Sequence, residues 1–420
     1  LALALAALLL VTACSGDEEE EPKAERAPGP VPAPVELAGM AVETPLRLGL
    51  VVSASSPPGE GADLLGAAAG AQVAVQRLQL GGIDVELDVV DDKGTRQGAE
   101  AAVGQLVGDG VAGIVAATTG DHLDPALAAA SDAGVPVLAP YLRDARGLPE
   151  GVWLTGAVAT DVDAALRTAL DELGASAPFV VTGDGVEVGI MRAESADLDE
   201  TEIDDLVRRV RAATRGSAAV DAVVIGASTG RQAAVVAALQ GELPDLPLLL
   251  TPEALSPGFA QALSDAGGTP ADELVSVGVD ASDTTTLGQG VQAEAVASYF
   301  SALRMLAGDP EARDLFDTAA FSEVAGGADT SSHDAVVALA VAASEAGSTD
   351  AAAVRTALQG LEVAPSDGLA GPALTFTTPT ALPGAAVVPL HATTQDPGVR
   401  PASTTDTVTL RWFPAPGAES

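Results

Sequence analysis

Residues 46–53, LRLGLVVS, are a short aliphatic run closed by a serine; a helix-spaced stretch over 62–80 stops at Gly81-Gly82, and a second aliphatic run over 83–90 ends in Asp91-Asp92. A strand that is apolar on both sides has to be covered on both faces, and a helix between two such strands sets them parallel. The stretch reads as a βαβ unit, so the fold class depends on whether that order recurs. It does: helix 96–107, strand 111–116, helix 125–133 and strand 135–139 complete one doubly wound lobe.

A second series reads from near Val152, with helix 161–173, strand 178–182, helix 202–213, strand 221–225, helix 231–239, strand 246–250, helix 258–266 and strand 273–279. Helical patterns at 291–307, 332–346 and 350–361 follow, and β-like runs at 386–391 and 407–413 finish the chain. The expectation is an α/β protein of two Rossmann-like, doubly wound lobes with parallel sheets, because the chain is too long for one compact core.

Ahead of this pattern, residues 1–11 are apolar, Thr12 and Ala13 are small, and Cys14 is the only cysteine. Such a run is too short for the roughly 30 Å core of a bilayer, but it suits the hydrophobic region of an export signal. Together with Cys14 it resembles a bacterial lipobox. Residues 1–14 are therefore expected to be signal and lipobox, with Cys14 lipidated and the protein held on the outer face of the cell membrane by its acyl chains. Residues 15–45, acidic and rich in Pro and Ala, read as a disordered tether.

The net charge of -39, from 20 basic and 59 acidic residues, argues against a nucleic-acid partner and fits a saline habitat. With no cysteine after Cys14 and histidine only at His122, His333 and His391, neither a disulfide framework nor a thiolate or zinc site is expected, and no cofactor is implied. Trp153, Trp412, Tyr141 and Tyr299 are too few aromatic faces to suggest sugar stacking.

In open parallel sheets ligands bind beyond the carboxyl ends of the strands. Loops 53–61, 116–124, 140–146, 183–189, 226–231 and 251–256 are therefore the candidate walls of a site.

Several stretches in this order resemble the type I periplasmic binding proteins of the branched-chain amino acid ABC-transporter class, over roughly 45–376. They are 46–51, the helix 66–78 with Gly81-Gly82-Ile83, Val89-Val90-Asp91-Asp92-Lys93-Gly94, the run 133–140, Asp221-Ala222-Val223-Val224, Thr251-Pro252-Glu253 and His333-Asp334-Ala335-Val336. In that family two lobes joined by three crossings close on a small ligand and dock on a membrane permease. The resemblance implies an N-lobe of 46–152 plus 282–363 and a C-lobe of 153–281 plus 364–420. It places Glu253 at the ligand's α-ammonium, Thr118, Thr119 and Gly120 on the loop that receives the carboxylate, and Tyr141, Leu142 and Arg143 on the loop that completes it. Gly120 and Arg143 stand where the family carries Ser and Thr, and Gly226-Ala227-Ser228-Thr229 lacks the aromatic pair of some relatives.

These residue types suit a zwitterion, which needs hydroxyl or N–H donors at one end and an acid at the other when it leaves water. Arg143 offers a further route, since a guanidinium can clamp a carboxylate through two N–H groups. Ser55 and Ser228 complete the expected ligand-binding set.

Other readings compete for the same residues. Gly226-Ala227-Ser228-Thr229-Gly230 fits a hydrolase nucleophile elbow between strand and helix, with His333 and His391 downstream, but no His-Gly-Gly-Gly-like oxyanion loop accompanies it. Asp91-Asp92 reads as a strand-end turn rather than a metal site, and His122 as an exposed loop histidine. The expected function is that of a lipid-anchored extracytoplasmic solute-binding protein, not an enzyme, which delivers an amino acid, amide or similar polar ligand to an ABC importer. The competing expectations are a ligand sensor or interaction module on the same lobes, and a serine hydrolase using Ser228.

Overall fold

Strand β1 (Leu46–Val52) buries all of its residues but Arg47, as its unbroken apolar run requires. In this computed structural model, which describes residues 34–42, 45–56, 61–215, 219–270, 274–401 and 410–414, β1 pairs on one side with β2 (Val85–Asp91) and on the other with β3 (Gly113–Ala116). β4 (Val137–Ala139) and β5 (Val152–Leu154) extend the sheet in the order β2-β1-β3-β4-β5, every pair parallel. Alternate side chains of β1 enter two cores. Leu48 and Leu50 meet Ala71 and Leu78 of helix Gly70–Leu80 and Leu339 of helix Thr330–Ala346, whereas Val51 meets Ala99 and Leu106 of helix Arg96–Asp109. Glycine at position 49 lets that last helix approach closely, since a Cβ there would lie 2.7 Å from Leu106 Cδ1.

The second sheet is built from β6 (Pro178–Thr182), β7 (Glu194–Asp197), β8 (Ala222–Gly226), β9 (Leu248–Leu250) and β10 (Leu274–Val279), all parallel. A two-stranded ribbon of β11 (Glu362–Val363) and β12 (Leu374–Thr375) stands apart. β13 (Val387–Thr393) and β14 (Arg411–Pro414) then add antiparallel to the second sheet, giving the order β14-β13-β10-β9-β8-β6-β7. Helices Ile203–Ala213, Thr229–Glu242 and Phe259–Asp265 bury Leu206, Val236 and Leu263 against one face of it. The result is the α/β fold of two Rossmann-like lobes.

Three expectations need correction. Val152 does not open the second series: β5 closes the first sheet, which runs through Leu154 rather than ending at 152. Residues 364–382, expected in the second lobe, pack on the first instead. Leu154 N donates to Pro379 O and Ala381 N to Leu154 O, both at 2.8 Å, and Trp153 meets Phe376 edge-on with ring centroids 5.9 Å apart. The reason is the open side of β5, whose unpaired backbone groups are covered by this segment. Residues 34–42 are not spacer. Leu37 is buried, its N–H donates to Arg77 O at 2.9 Å, and Arg77 Nε donates back to Val35 O at 2.9 Å. Val35, Leu37, Met40 and Val42 supply apolar surface that the acidic composition of the whole tail conceals. Cys14 and the rest of the tail through residue 33 lie outside the described residues. Among the described residues no helix is long and apolar enough to cross a membrane.

Candidate ligand-binding cleft

The loops that leave the carboxyl ends of the two sheets enclose a cavity of about 450 Å³. Thr119, Tyr141 and Arg143 line it from the first lobe, and Ser228, Glu253 and Ser256 from the second. The lobes touch at its rim, where Ser256 Oγ donates to Asp63 O at 3.1 Å.

Arg143 and Glu253 meet across this gap. Arg143 lies beyond β4, where its carbonyl accepts from Ala159 N at 3.1 Å and so fixes the loop to the start of helix Ala159–Leu173. Glu253 lies beyond β9 in a turn opened by Pro252. Gln232 Nε2 donates to Thr251 Oγ1 at 2.9 Å, Ser276 Oγ to Thr251 O at 3.2 Å, and Thr229 Oγ1 to Glu253 O at 2.9 Å, so the backbone carrying the acid is anchored. Arg143 Nε is 3.0 Å from Glu253 Oε1, with the two side chains 27% and 19% exposed. Arg143 Nη1 and Glu253 Oε2 are buried without a hydrogen-bond partner among the described residues. The pair is thus only half satisfied, an arrangement that native interiors avoid unless something else completes it.

Tyr141 forms a second polar wall. Its hydroxyl donates to Asp329 Oδ2 at 2.8 Å and lies 2.6 Å from Ser332 Oγ. Asp329 also caps helix Thr330–Ala346 by accepting from Ser332 N at 3.0 Å. Burial pushes its carboxyl up to about 6 despite these two donors, and burial and the Asp329 charge together raise the Tyr141 hydroxyl. Ser228 opens helix Thr229–Glu242, with its N–H donating to Asp184 Oδ2 at 3.1 Å. The three histidines are engaged elsewhere: His122 with Asp92, His333 with Arg77 and Asp334 inside the first lobe, and His391 against Phe413. The elbow-like motif is therefore a strand-to-helix turn whose serine meets none of them.

Of the nine residues expected at the ligand, Thr119, Tyr141, Arg143, Ser228 and Glu253 come together on the cavity, whereas Ser55, Thr118, Gly120 and Leu142 do not. Thr118 is fully buried, with Oγ1 2.5 Å from Ser53 Oγ, which in turn donates to Asp92 Oδ1 at 2.6 Å. His122 Nε2 lies 2.9 Å from Asp92 Oδ2 and is mostly buried, not exposed as its loop position suggests. Burial pushes the Asp92 carboxyl up, but donors from His122, Ser53 and Gly94 outweigh it and hold the group below its ordinary value. Ser55 is exposed and bonded to Asp91, Gly120 sits beside His122 with φ 126°, and Leu142 packs into the first-lobe core. The polar loops after β1, β2 and β3 have turned inward to satisfy Asp92.

Sequence reasoning missed Asp329, and also Asp283, whose carboxylate Arg400 Nε contacts at 2.9 Å on the cavity wall. Asp329 had a readable signal as a helix-capping residue just before an apolar helical run. Arg400 had none, because no local pattern ties it to residues so distant in the chain. Among the described residues no group of three or more side chains is placed to hold a metal ion.

Residues 45–387 match a family model described as periplasmic binding protein. Among solved structures, the chain is similar to the branched-chain amino acid transporter substrate-binding protein LivJ from Streptococcus pneumoniae in complex with isoleucine, at 16% identity and TM-score 0.62, over 83% of this chain and 95% of that one. It is similar also to the leucine-binding protein LivK from Thermotoga maritima, at 15% identity and TM-score 0.57, over 88% and 99% of the two chains. An ABC transporter substrate-binding protein from Desulfitobacterium hafniense in complex with Leu aligns at 17% identity and TM-score 0.57, over 84% and 98%. Among curated proteins none matches the sequence.

Proposed function

The chain belongs to the periplasmic binding protein family, and on that premise we propose that it captures a small polar ligand, an amino acid, amide or similar molecule, between its lobes and delivers it to an ABC importer. The observation that carries this reading is the cavity between the lobes, with a half-satisfied Arg143–Glu253 pair on its walls. Glu253 receives the ligand's cationic group, and Thr119, Tyr141 and Ser228 offer hydroxyls to its remaining polar atoms. No bond is made or broken. Affinity comes from how much better the closed lobes satisfy the ligand's polar ends than water does. LivJ and the Desulfitobacterium protein, similar in fold, hold isoleucine and leucine, which supports an amino acid as the first candidate.

The protein acts outside the cytoplasm, held at the membrane by acyl chains on Cys14, so that the loaded lobes remain near the permease. A thermal-shift screen of amino acids, amides and small organic acids tests ligand capture. A ligand at a hundred times its Kd adds about 2.7 kcal/mol to the stability of the folded state. One chemical class is expected to raise Tm selectively, and a flat response across the whole panel rejects the reading. Cys14→Ala is expected to move the protein from the membrane fraction to the medium or leave it unprocessed, and unchanged attachment rejects the anchor.

A further inference from the structure

We propose that residues 394–401 form a fourth link between the lobes, a strap that limits how far they separate, and that Arg400 is the positioning residue that fastens it to the first lobe. The inference goes beyond ligand capture and does not depend on it, since it concerns what holds the two halves together.

Three connections join the halves in chain order: β5 to helix Ala159–Leu173, β10 to helix Val291–Gly308, and the ribbon of β11 and β12 to β13. The chain then crosses once more. β13 ends at Thr393 in the second sheet, opposite Arg411 of β14, yet Val399 packs with Tyr299 and Phe300 of helix Val291–Gly308, which also meets Ala69 and Val73 of the first lobe. Arg304 of the same helix donates to Val399 O. Arg400 completes the seat. Its Nε donates to both Asp283 oxygens at 2.9 Å, its Nη1 to Gly326 O at 3.1 Å and Ala328 O at 2.9 Å, and its guanidinium lies 5.0 Å from the centre of the Phe300 ring.

The partners depend on this one side chain. Asp283 belongs to the connection that follows β10, with its side chain 5% exposed, and Arg411 Nε comes only within 3.5 Å of it. A carboxylate buried to that degree is strongly unfavourable without a bonded cation. Gly326 and Ala328 lie in the turn just ahead of Asp329, so the same guanidinium holds a lobe connection and a wall of the cavity. The reach is short. Seven residue steps separate Thr393 from Arg400, at most roughly 25 Å of extended chain. A turn shortens it further: Asp396 Oδ1 accepts from Gly398 N at 2.8 Å, with Gly398 at φ 74°. A strap of this length cannot follow a wide swing of the second lobe while both of its ends stay seated.

Double electron–electron resonance on the full chain reads the separation of the lobes with no ligand added. Cys14→Ser removes the native thiol, and nitroxides are attached through Glu100→Cys and Asp204→Cys. Both positions are exposed, in the first two turns of helices that start beyond the carboxyl ends of their sheets, so opening drives them apart. Arg400→Met is expected to raise the population at longer separations at least about 10-fold, as the loss of hydrogen bonds to a charged group requires. Arg400→Lys, which keeps a cation at Asp283 but lacks the guanidinium fork, is expected to recover part of that change. A Gly-Ser-Gly-Ser insertion between the exposed Gln395 and Asp396 lengthens the strap without altering any residue that Arg400 contacts, and is expected to extend the distribution as well. The insertion decides the matter even if Arg400→Met fails to fold. A distribution left unchanged by the insertion overturns the proposal, and so does one left unchanged by Arg400→Met. Neither result bears on ligand capture, which the thermal-shift screen judges separately.

Discussion

Two polar clusters lie beyond the carboxyl ends of the sheets, one at the first and one where the second faces it, and they treat their charges in opposite ways. Around Asp92, the donors Ser53, Gly94 N and His122 converge on one carboxylate, and Thr118 closes the set through Ser53. Around Glu253, one guanidinium arrives from the other lobe and leaves an atom on each side without a partner. A buried network with every member satisfied rigidifies a fold, while a half-satisfied one is costly and persists where something else completes it. The difference separates an acid that builds the wall from an acid that faces the guest.

The most severe way to break this comparison is to make the same change at both acids. Asp92→Ala strands Ser53, His122 and a backbone N–H in the interior, and is expected to cost about 3 kcal/mol or more in urea unfolding. Glu253→Ala removes the same chemical group, yet its partner is part-exposed, so the expected change in stability is within about 1 kcal/mol. Ligand affinity is expected to move the other way, falling on the order of 2 kcal/mol or more in the Glu253 variant as the cationic end of the ligand loses its partner. Equal stability losses at the two positions would erase the distinction.

A finer cut is available at neighbouring threonines. Thr118→Val removes one hydrogen bond within the Asp92 cluster and is expected to lower stability by about 1 kcal/mol, with Kd little changed. Thr119→Val, on the cavity wall, is expected to leave stability nearly intact and to weaken binding. Calorimetry and denaturation on the same two proteins decide it, and a large loss of affinity in the Thr118 variant would return that residue to the ligand.

That pair of threonines also marks where the sequence stops being legible. The alternation of apolar runs and helical stretches was readable because burial on both faces of a parallel strand leaves almost no polar residue in it, as in β1 and β8. β7, Glu-Ser-Ala-Asp over Glu194–Asp197, has no such signature: it is an edge strand whose strand pairing is to β6 and which buries only Ala196. The site was readable to the level of the loop, since topology puts ligands beyond the strand ends. It was not readable to the level of the residue. Whether Thr118 or Thr119 faces the cavity depends on which of them the buried Asp92 cluster captures, a tertiary fact with no local trace. The segment 364–382 failed for a related reason, because the open flank of β5 that it covers exists only once the first sheet is assembled.

The smallest expected effect concerns Asp329, which stands between the two kinds of cluster: it caps a helix and binds Tyr141, yet among the described residues no cation makes a salt bridge with it, the nearby Arg400 pairing with Asp283 instead. Burial raises its carboxyl from the ordinary 3.8 to about 6, so between those values the folded chain holds more protons than the unfolded one. Stability from this group is therefore present at the acid end and lost as pH rises through about 6. His333 acts with the opposite sign. Burial keeps its imidazole neutral and its value below the ordinary 6.5, so stability is lost as pH falls below that point and the unfolded chain takes up the proton first. The two contributions oppose each other across the acid range, which flattens the dependence of Tm on pH. Asp329→Asn keeps an oxygen for Ser332 N, places an NH2 donor where Oδ2 accepted from the Tyr141 hydroxyl, whose proton then turns to Ser332 Oγ, and cannot titrate, so this side chain no longer opposes the His333 slope. Tm measured from about pH 4 to 7 should climb more steeply in this variant than in the native chain. Parallel curves would mean that Asp329 is paired like Asp92 after all, and that the cavity has one charged pole fewer than its geometry suggests.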